Sequence, residues 1–242
     1  MSSTPRTPTV VLVHGAFADG SSYARVVTEL LAGGTRVVVP AVPNRGLASD
    51  AAYVASVVRG IEGPVLLVGH SYGGAVVTVV GREENVAGLV YLAAYVLDEG
   101  ESLGELQSRF PAPPLGEALV QRPFPVEGSD APGIDISVDV ARFPELFAAD
   151  VDSSLTRVLA VSQRPLAANA FGEPAGAAAW RERPAWGIVA TADKAIHPEV
   201  QRFGYARAGA QVVEVDSSHL VMHASPADVV KVIREALASV TA

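Results

Sequence analysis

Hydrophobic positions along this chain fall into short unbroken runs, separated by stretches in which apolar residues recur with helical spacing. Thr9–His14 (TVVLVH), Thr35–Pro40 (TRVVVP), Pro64–Gly69 (PVLLVG), Val86–Leu92 (VAGLVYL), Trp186–Thr191 (WGIVAT) and Gln211–Asp216 (QVVEVD) read as six strands. The runs are continuous rather than alternating, which is the pattern of strands buried on both faces of a parallel sheet. Helices are predicted between them near Ser22–Ala32, Ala48–Ile61, Ser71–Arg82, Pro198–Ala208 and Pro226–Val240. Strand then helix, repeated, implies right-handed crossovers and a doubly wound α/β fold on a mainly parallel six-stranded sheet. Ser49-Asp50 and Ser225-Pro226 are the expected helix starts, and Gly33-Gly34 is the expected end of the first helix.

The rhythm breaks between Tyr95 and Arg183. Prolines crowd this stretch (Pro111, Pro113, Pro114, Pro123, Pro125, Pro132), and it carries no clear β-branched strand. Short helices are expected around Glu101–Phe110, Arg142–Ala149 and Ser153–Ser162. An insertion of this length between two strands is too long for a bare loop, and such insertions often cover active sites. The expected organisation is therefore a core in two parts, 1–94 and 184–242, interrupted by a helical lid over 95–183.

Composition narrows the function classes. The chain of 242 residues is 49% hydrophobic and 18% charged, enough to bury a sizeable core. A formal net charge of -8 argues against nucleic acid, which attracts clustered Lys and Arg, and equally against an anionic membrane surface. With no cysteine, disulfides, thiolate catalysis and zinc-thiolate sites drop out. Met1–Pro8 (MSSTPRTP) lacks the apolar core of a signal peptide, and Gly, Pro or charge cuts every apolar run within about 10 residues, too short to span a bilayer. The expected compartment is the cytoplasm.

Gly69-His70-Ser71-Tyr72-Gly73 matches G-x-S-x-G, and its setting carries more weight than its letters. It follows an apolar strand and opens a helix, the context of a nucleophile elbow, in which serine sits on a strained turn and small neighbours make room. A chance match is the plain alternative, and the strand-to-helix setting weakens it. Ser71 is thus the candidate nucleophile.

A serine hydroxyl needs a base to take its proton. In the chain order serine, acid, histidine, the base falls after the last strand, where Asp216-Ser217-Ser218-His219 stands. His219 is the candidate base, and His223, one turn on, is the alternative. His14 and His70 adjoin glycines at strand ends and suit backbone contacts, while His197 opens a helix. The acid is expected at the end of the preceding strand, at Asp193; Asp98 is the alternative. A turn aspartate is the ordinary reading of either. Two backbone N–H groups are needed to hold a developing oxyanion: those of Tyr72, after the nucleophile, and Ala16, in the loop His14-Gly15-Ala16-Phe17. Phe17, Phe143, Phe147 and Phe171 are candidate pocket liners, with core packing the plainer role for each.

Together HGAFADGSSY, GHSYGG, ATAD and DSSHLVMHASP resemble the α/β-hydrolase superfamily along nearly the whole chain. The nearest likeness is to small, lid-bearing bacterial serine hydrolases, which VSQRPLAANAF (161–171) also resembles. The plant methyl esterase and hydroxynitrile lyase group is a more distant likeness. The resemblance implies Ser71, Asp193 and His219 as triad, with Ala16 and Tyr72 as oxyanion donors. Dehalogenases and epoxide hydrolases of this fold carry Asp where Ser71 stands. The plant lyases carry Lys after the histidine and Thr in the first loop, where this chain has Leu220 and Gly15. These departures favour cleavage of small, fairly apolar carboxylic esters or lactones. The alternatives are cofactor-free perhydrolysis, or a receptor-like member that binds a small molecule. No cofactor and no metal are implied. The expected partner is a small-molecule substrate, with a homodimer left open.

Overall fold

A computed structural model describes residues 8–241; the reading of Met1–Pro8 as free of a signal peptide falls on residues 1–7 and lies outside them. Along the chain, β1 (Thr9–Val13), α1 (Ala24–Ala32), β2 (Arg36–Val38), α2 (Leu47–Arg59), β3 (Val65–His70), α3 (Tyr72–Val80) and β4 (Val86–Leu92) form the first part. An insertion follows, with α4 (Leu103–Ser108), β5 (Leu119–Phe124), β6 (Gly133–Val138), α5 (Phe143–Phe147), α6 (Ser153–Val161) and β7 (Leu166–Ala167). The chain then completes its sheet with β8 (Ala185–Ala190), α7 (Pro198–Arg207), β9 (Gln211–Val215), α8 (Val221–Ala224) and α9 (Pro226–Thr241).

Six strands pair in parallel in the order β2-β1-β3-β4-β8-β9. This is the doubly wound sheet that the apolar runs predict. Burial on both faces holds for β1, β3 and β8, every residue of which is buried. It fails at the edges. Val212 and Val213 of β9 are 43% and 39% exposed, because no strand lies beyond β9 and its apolar run faces partly outward.

Two helix starts differ from expectation. The first helix is divided: a tight 3-10 turn over Gly20–Tyr23, capped by the Asp19 side chain, precedes α1. Ser49-Asp50 does not cap α2, which begins two residues earlier behind Gly46, with no side-chain cap at that position. Glu173, from the end of the insertion, accepts from the Ala48 N–H at 3.1 Å and supplies the missing acceptor. Gly33 closes α1 as expected, and α9 opens on Pro226.

The insertion contains its three expected helices and also a small antiparallel sheet, β5-β6-β7, where no strand was expected. Pro123 lies inside β5, and β5 tolerates it as an edge strand. The insertion is tied to the core near the sheet's carboxyl ends: Arg164 O accepts from Phe17 N, and Asn44 O from Ala167 N, both at 2.9 Å.

Candidate active site

Four loops leave the carboxyl ends of β1, β3, β8 and β9 and converge. In open α/β sheets, ligand sites form at these strand ends. The tightest turn is at Ser71, between β3 and α3, with φ 56° and ψ -123°. A non-glycine residue held there costs about 1–3 kcal/mol and persists only when its surroundings fix it. They do so here: Ser71 N donates to Leu92 O at 3.2 Å, while Ser71 O accepts from Gly74 N at 3.0 Å and Tyr95 N at 3.2 Å. Gly69 must lack a side chain, since a Cβ there would lie 2.5 Å from Gly73 O. Although Ser71 stands at the N-cap of α3, its side chain makes no capping bond, so the hydroxyl is free for other work.

Asp193 follows β8 and is 6% exposed. Oδ1 accepts from the N–H groups of Ala195 (2.7 Å) and Ile196 (3.0 Å), and Oδ2 accepts from Gln201 Nε2 (2.8 Å). The remaining contact of Oδ2 is with His219 Nδ1, at 2.7 Å. A carboxylate so bonded is acceptor only, so Nδ1 carries the proton and Nε2 presents its lone pair. That Nε2 is buried and has no hydrogen-bond partner among the described residues. The imidazole lies between the rings of His70 and Phe147, with centroids 4.6 and 4.7 Å away.

His219 and Ser71 line the same cavity, of about 450 Å³. Phe17, Phe147 and Phe171 line it too. Phe143 does not. It is 1% exposed and packs behind Phe147, ring centroids 4.8 Å apart, so it supports the wall without forming it. The lining is mostly apolar, with one conspicuous polar pair: the Tyr95 hydroxyl donates to Gln107 Oε1 at 3.2 Å.

Ala16 and Tyr72 both border this cavity, and neither backbone N–H bonds to another described residue. The Gly15–Ala16 peptide is held by its other end. His14 Nε2 accepts from Val42 N at 3.1 Å, so His14 Nδ1 bears the proton and donates to Gly15 O at 3.0 Å. In a trans peptide the N–H points opposite the C=O, so anchoring Gly15 O turns the Ala16 N–H away from His14. Close packing also demands glycine at position 15, where a Cβ would lie 2.7 Å from Ser71 Cβ. Tyr72 is fixed through its side chain, whose hydroxyl donates to buried Asp50 at 2.7 Å.

The other histidines and Asp98 stand apart. His70 Nε2 donates to His219 O at 2.9 Å, and burial holds its pKa well below the ordinary imidazole value. Burial likewise lowers His14 and His223. His223 does not line the cavity. His197 caps α7, accepting from Glu199 N. Asp98 forms an ion pair with Arg181 at 2.7 Å.

A model of the alpha/beta hydrolase family matches residues 10–232, nearly the whole length. The chain belongs to that family. A carbendazim-hydrolyzing esterase of Nocardioides sp. is 36% identical over 107 residues, 38% of this chain and 44% of that enzyme. The chain spans less than half the length of the curated relatives it matches. Among solved structures, a pyrethroid hydrolase from Sphingobium faniae superposes with a TM-score of 0.77 at 23% identity, over 96% of this chain and 98% of that one. A polyneuridine aldehyde esterase gives 0.81 at 18% identity, over 95% and 99%. These two likenesses show a shared fold.

Two residues of this family member contact the site without having been singled out in the sequence. Gln201 binds Asp193 from α7, and Asp150 of the insertion accepts from Ser218 N at 2.8 Å and from the Ser218 hydroxyl, next to His219. Neither stands in a motif; both are brought in by tertiary folding. Among the described residues no group of His, Cys, Asp or Glu is placed to hold a metal ion, and no helix is long and apolar enough to cross a membrane.

Proposed function

We propose that this protein is a serine hydrolase that cleaves small, fairly apolar carboxylic esters or lactones through an acyl-enzyme. The observation that carries the proposal is His219, bound at Nδ1 by buried Asp193 and free at Nε2, on the wall of the cavity that holds Ser71. In this reading Ser71 Oγ attacks the ester carbonyl while His219 Nε2 takes its proton, and Asp193 stabilises the imidazolium. The Ala16 and Tyr72 N–H groups hold the oxyanion; one such donor is worth about 3 kcal/mol in the transition state. His219 then protonates the leaving alcohol, and water attacks the acyl-Ser71 ester with His219 again as base.

The apolar lining of the cavity supports an apolar acyl or alcohol group, and its volume supports a small substrate. Two relatives in sequence, a carbendazim-hydrolyzing esterase and a pyrethroid hydrolase, agree with hydrolytic chemistry. Residues 95–183 belong to the proposal as a lid, since Leu103, Phe147 and Phe171 close the cavity from that stretch. Steady-state hydrolysis of p-nitrophenyl acetate and butyrate tests it. Ser71→Ala is expected to abolish turnover with the fold intact; a Ser71→Ala protein as active as wild type sinks the reading.

A further inference from the structure

Gln201 is completely buried within α7 and uses its amide in three directions. Oε1 accepts from Ala190 N, the last residue of β8, at 3.0 Å. Nε2 donates to Ile196 O at 3.0 Å and to Asp193 Oδ2 at 2.8 Å. A backbone N–H on one end and a backbone C=O on the other allow a single orientation of the amide, so the NH2 must face Asp193. Oδ2 is the oxygen that His219 Nδ1 also binds.

From this geometry we infer that Gln201 is a positioning residue for the acid–base pair. It acts through Asp193, and it rests on the triad reading above. Its donor sets the direction of Oδ2 and shares its negative charge, limiting how strongly the carboxylate holds a proton on His219. An amide suits the task because it contributes a donor without a net charge, whereas a cation would drain the carboxylate. The Asp193 oxygen is thereby held on His219 Nδ1, and Nε2 is left free to accept the Ser71 proton.

The groups facing the pair leave the prediction clean. His70 is held neutral by burial; Tyr95 and Tyr205 feel the Asp193 charge, and burial pushes both phenols upward. Lys194, next in the chain, is common to all variants. The test is the pH profile of kcat/KM for p-nitrophenyl butyrate in wild type, Gln201→Leu and Gln201→Met, normalised to sites titrated by a fluorophosphonate. Gln201→Leu removes the donor, so the acid limb is expected to move up by about one pH unit, with kcat down roughly 10-fold and KM nearly unchanged. Gln201→Met keeps the unbranched length of the side chain and also lacks the donor, so it stands in should the leucine variant fold poorly. It is expected to move the limb in the same direction, and the downfield Nδ1–H proton resonance of His219 shifts with it. A limb superimposable on wild type in either folded variant overturns the inference, because a packing role alone leaves the limb in place. Ser71→Ala serves as the control: if it is inactive while the Gln201 profiles match wild type, only this inference falls; if it is fully active, the triad reading falls with it.

Discussion

His219 Nδ1 and Asp193 Oδ2 meet at 2.7 Å with side chains only 1% and 0% exposed, and the Asp193 carboxylate has donors on both oxygens. Among the described residues no other histidine is bonded to a carboxylate, which separates His219 from His223. It also separates Asp193 from Asp98, whose charge is spent on Arg181.

That geometry predicts the behaviour of Asp193→Asn. The backbone N–H groups of Ala195 and Ile196 require an acceptor at the Oδ1 position, so the new NH2 falls at the Oδ2 position, against His219. Nδ1 then becomes the acceptor, the proton moves to Nε2, and the base is lost. With this tautomer, kcat for p-nitrophenyl butyrate is expected to fall about 10⁴-fold while KM changes little. A variant that retains more than about a tenth of wild-type kcat removes Asp193 from the acid's role.

The first loop predicts a contrast between backbone and side chain. Ala16 contributes only its N–H, so Ala16→Gly is expected to stay within about threefold of wild-type kcat. His14→Leu leaves Gly15 O with only the long contact from Asn44 Nδ2 at 3.5 Å and so holds the peptide less firmly; the expected loss in kcat is about 10- to 100-fold, below the 10²–10³ of a deleted donor. Gly15→Ala is the severest, because its Cβ would press on Ser71 Cβ and on His70 O. Parallel kcat and thermal melts of the three variants check the order. An Ala16→Gly protein crippled while His14→Leu works normally would exclude this loop as an oxyanion donor.

Ser71, Asp193 and His219 stood out in the sequence because each comes shortly after an apolar run, and strand ends of a parallel sheet converge; β3 and β8 are buried, while the run of β9 lies on an exposed edge. Phe143 was not separable from Phe147, since both sit on one short helix and only packing decides which faces the cavity. Gly133–Val138 alternates its apolar residues and could have been read as a strand; the prolines around it masked the signal. Gln201 and Asp150 left no sequence trace at all, because they lie eight and 68 residues from the atoms they bind. The α2 start was misread for the same reason: its acceptor, Glu173, is 125 residues away from Ala48.

Stability should fall in mild acid because of the buried histidines. His14, His70 and His223 are buried, and burial is the leading cause of the lowered pKa of each. The unfolded chain takes up their protons near the ordinary value of 6.5, whereas the folded protein resists until lower pH. Below about 6.5 the unfolded state therefore binds more protons, and stability declines as pH falls, by up to about 1.4 kcal/mol per pH unit for each histidine. Asp50 works in the opposite sense, since burial raises its pKa and favours its protonated form in the fold, but hydrogen bonds from Tyr72 and Arg45 hold that rise back. His223 offers the cleanest probe, because neither ring nitrogen has a partner and an apolar replacement breaks no side-chain hydrogen bond. Thermal midpoints of wild type and His223→Leu between pH 8 and pH 5 are expected to run parallel above about 6.5 and to diverge below it, the variant falling less steeply. Equal slopes below pH 6.5 would show that His223 takes up its proton as readily in the fold as outside it.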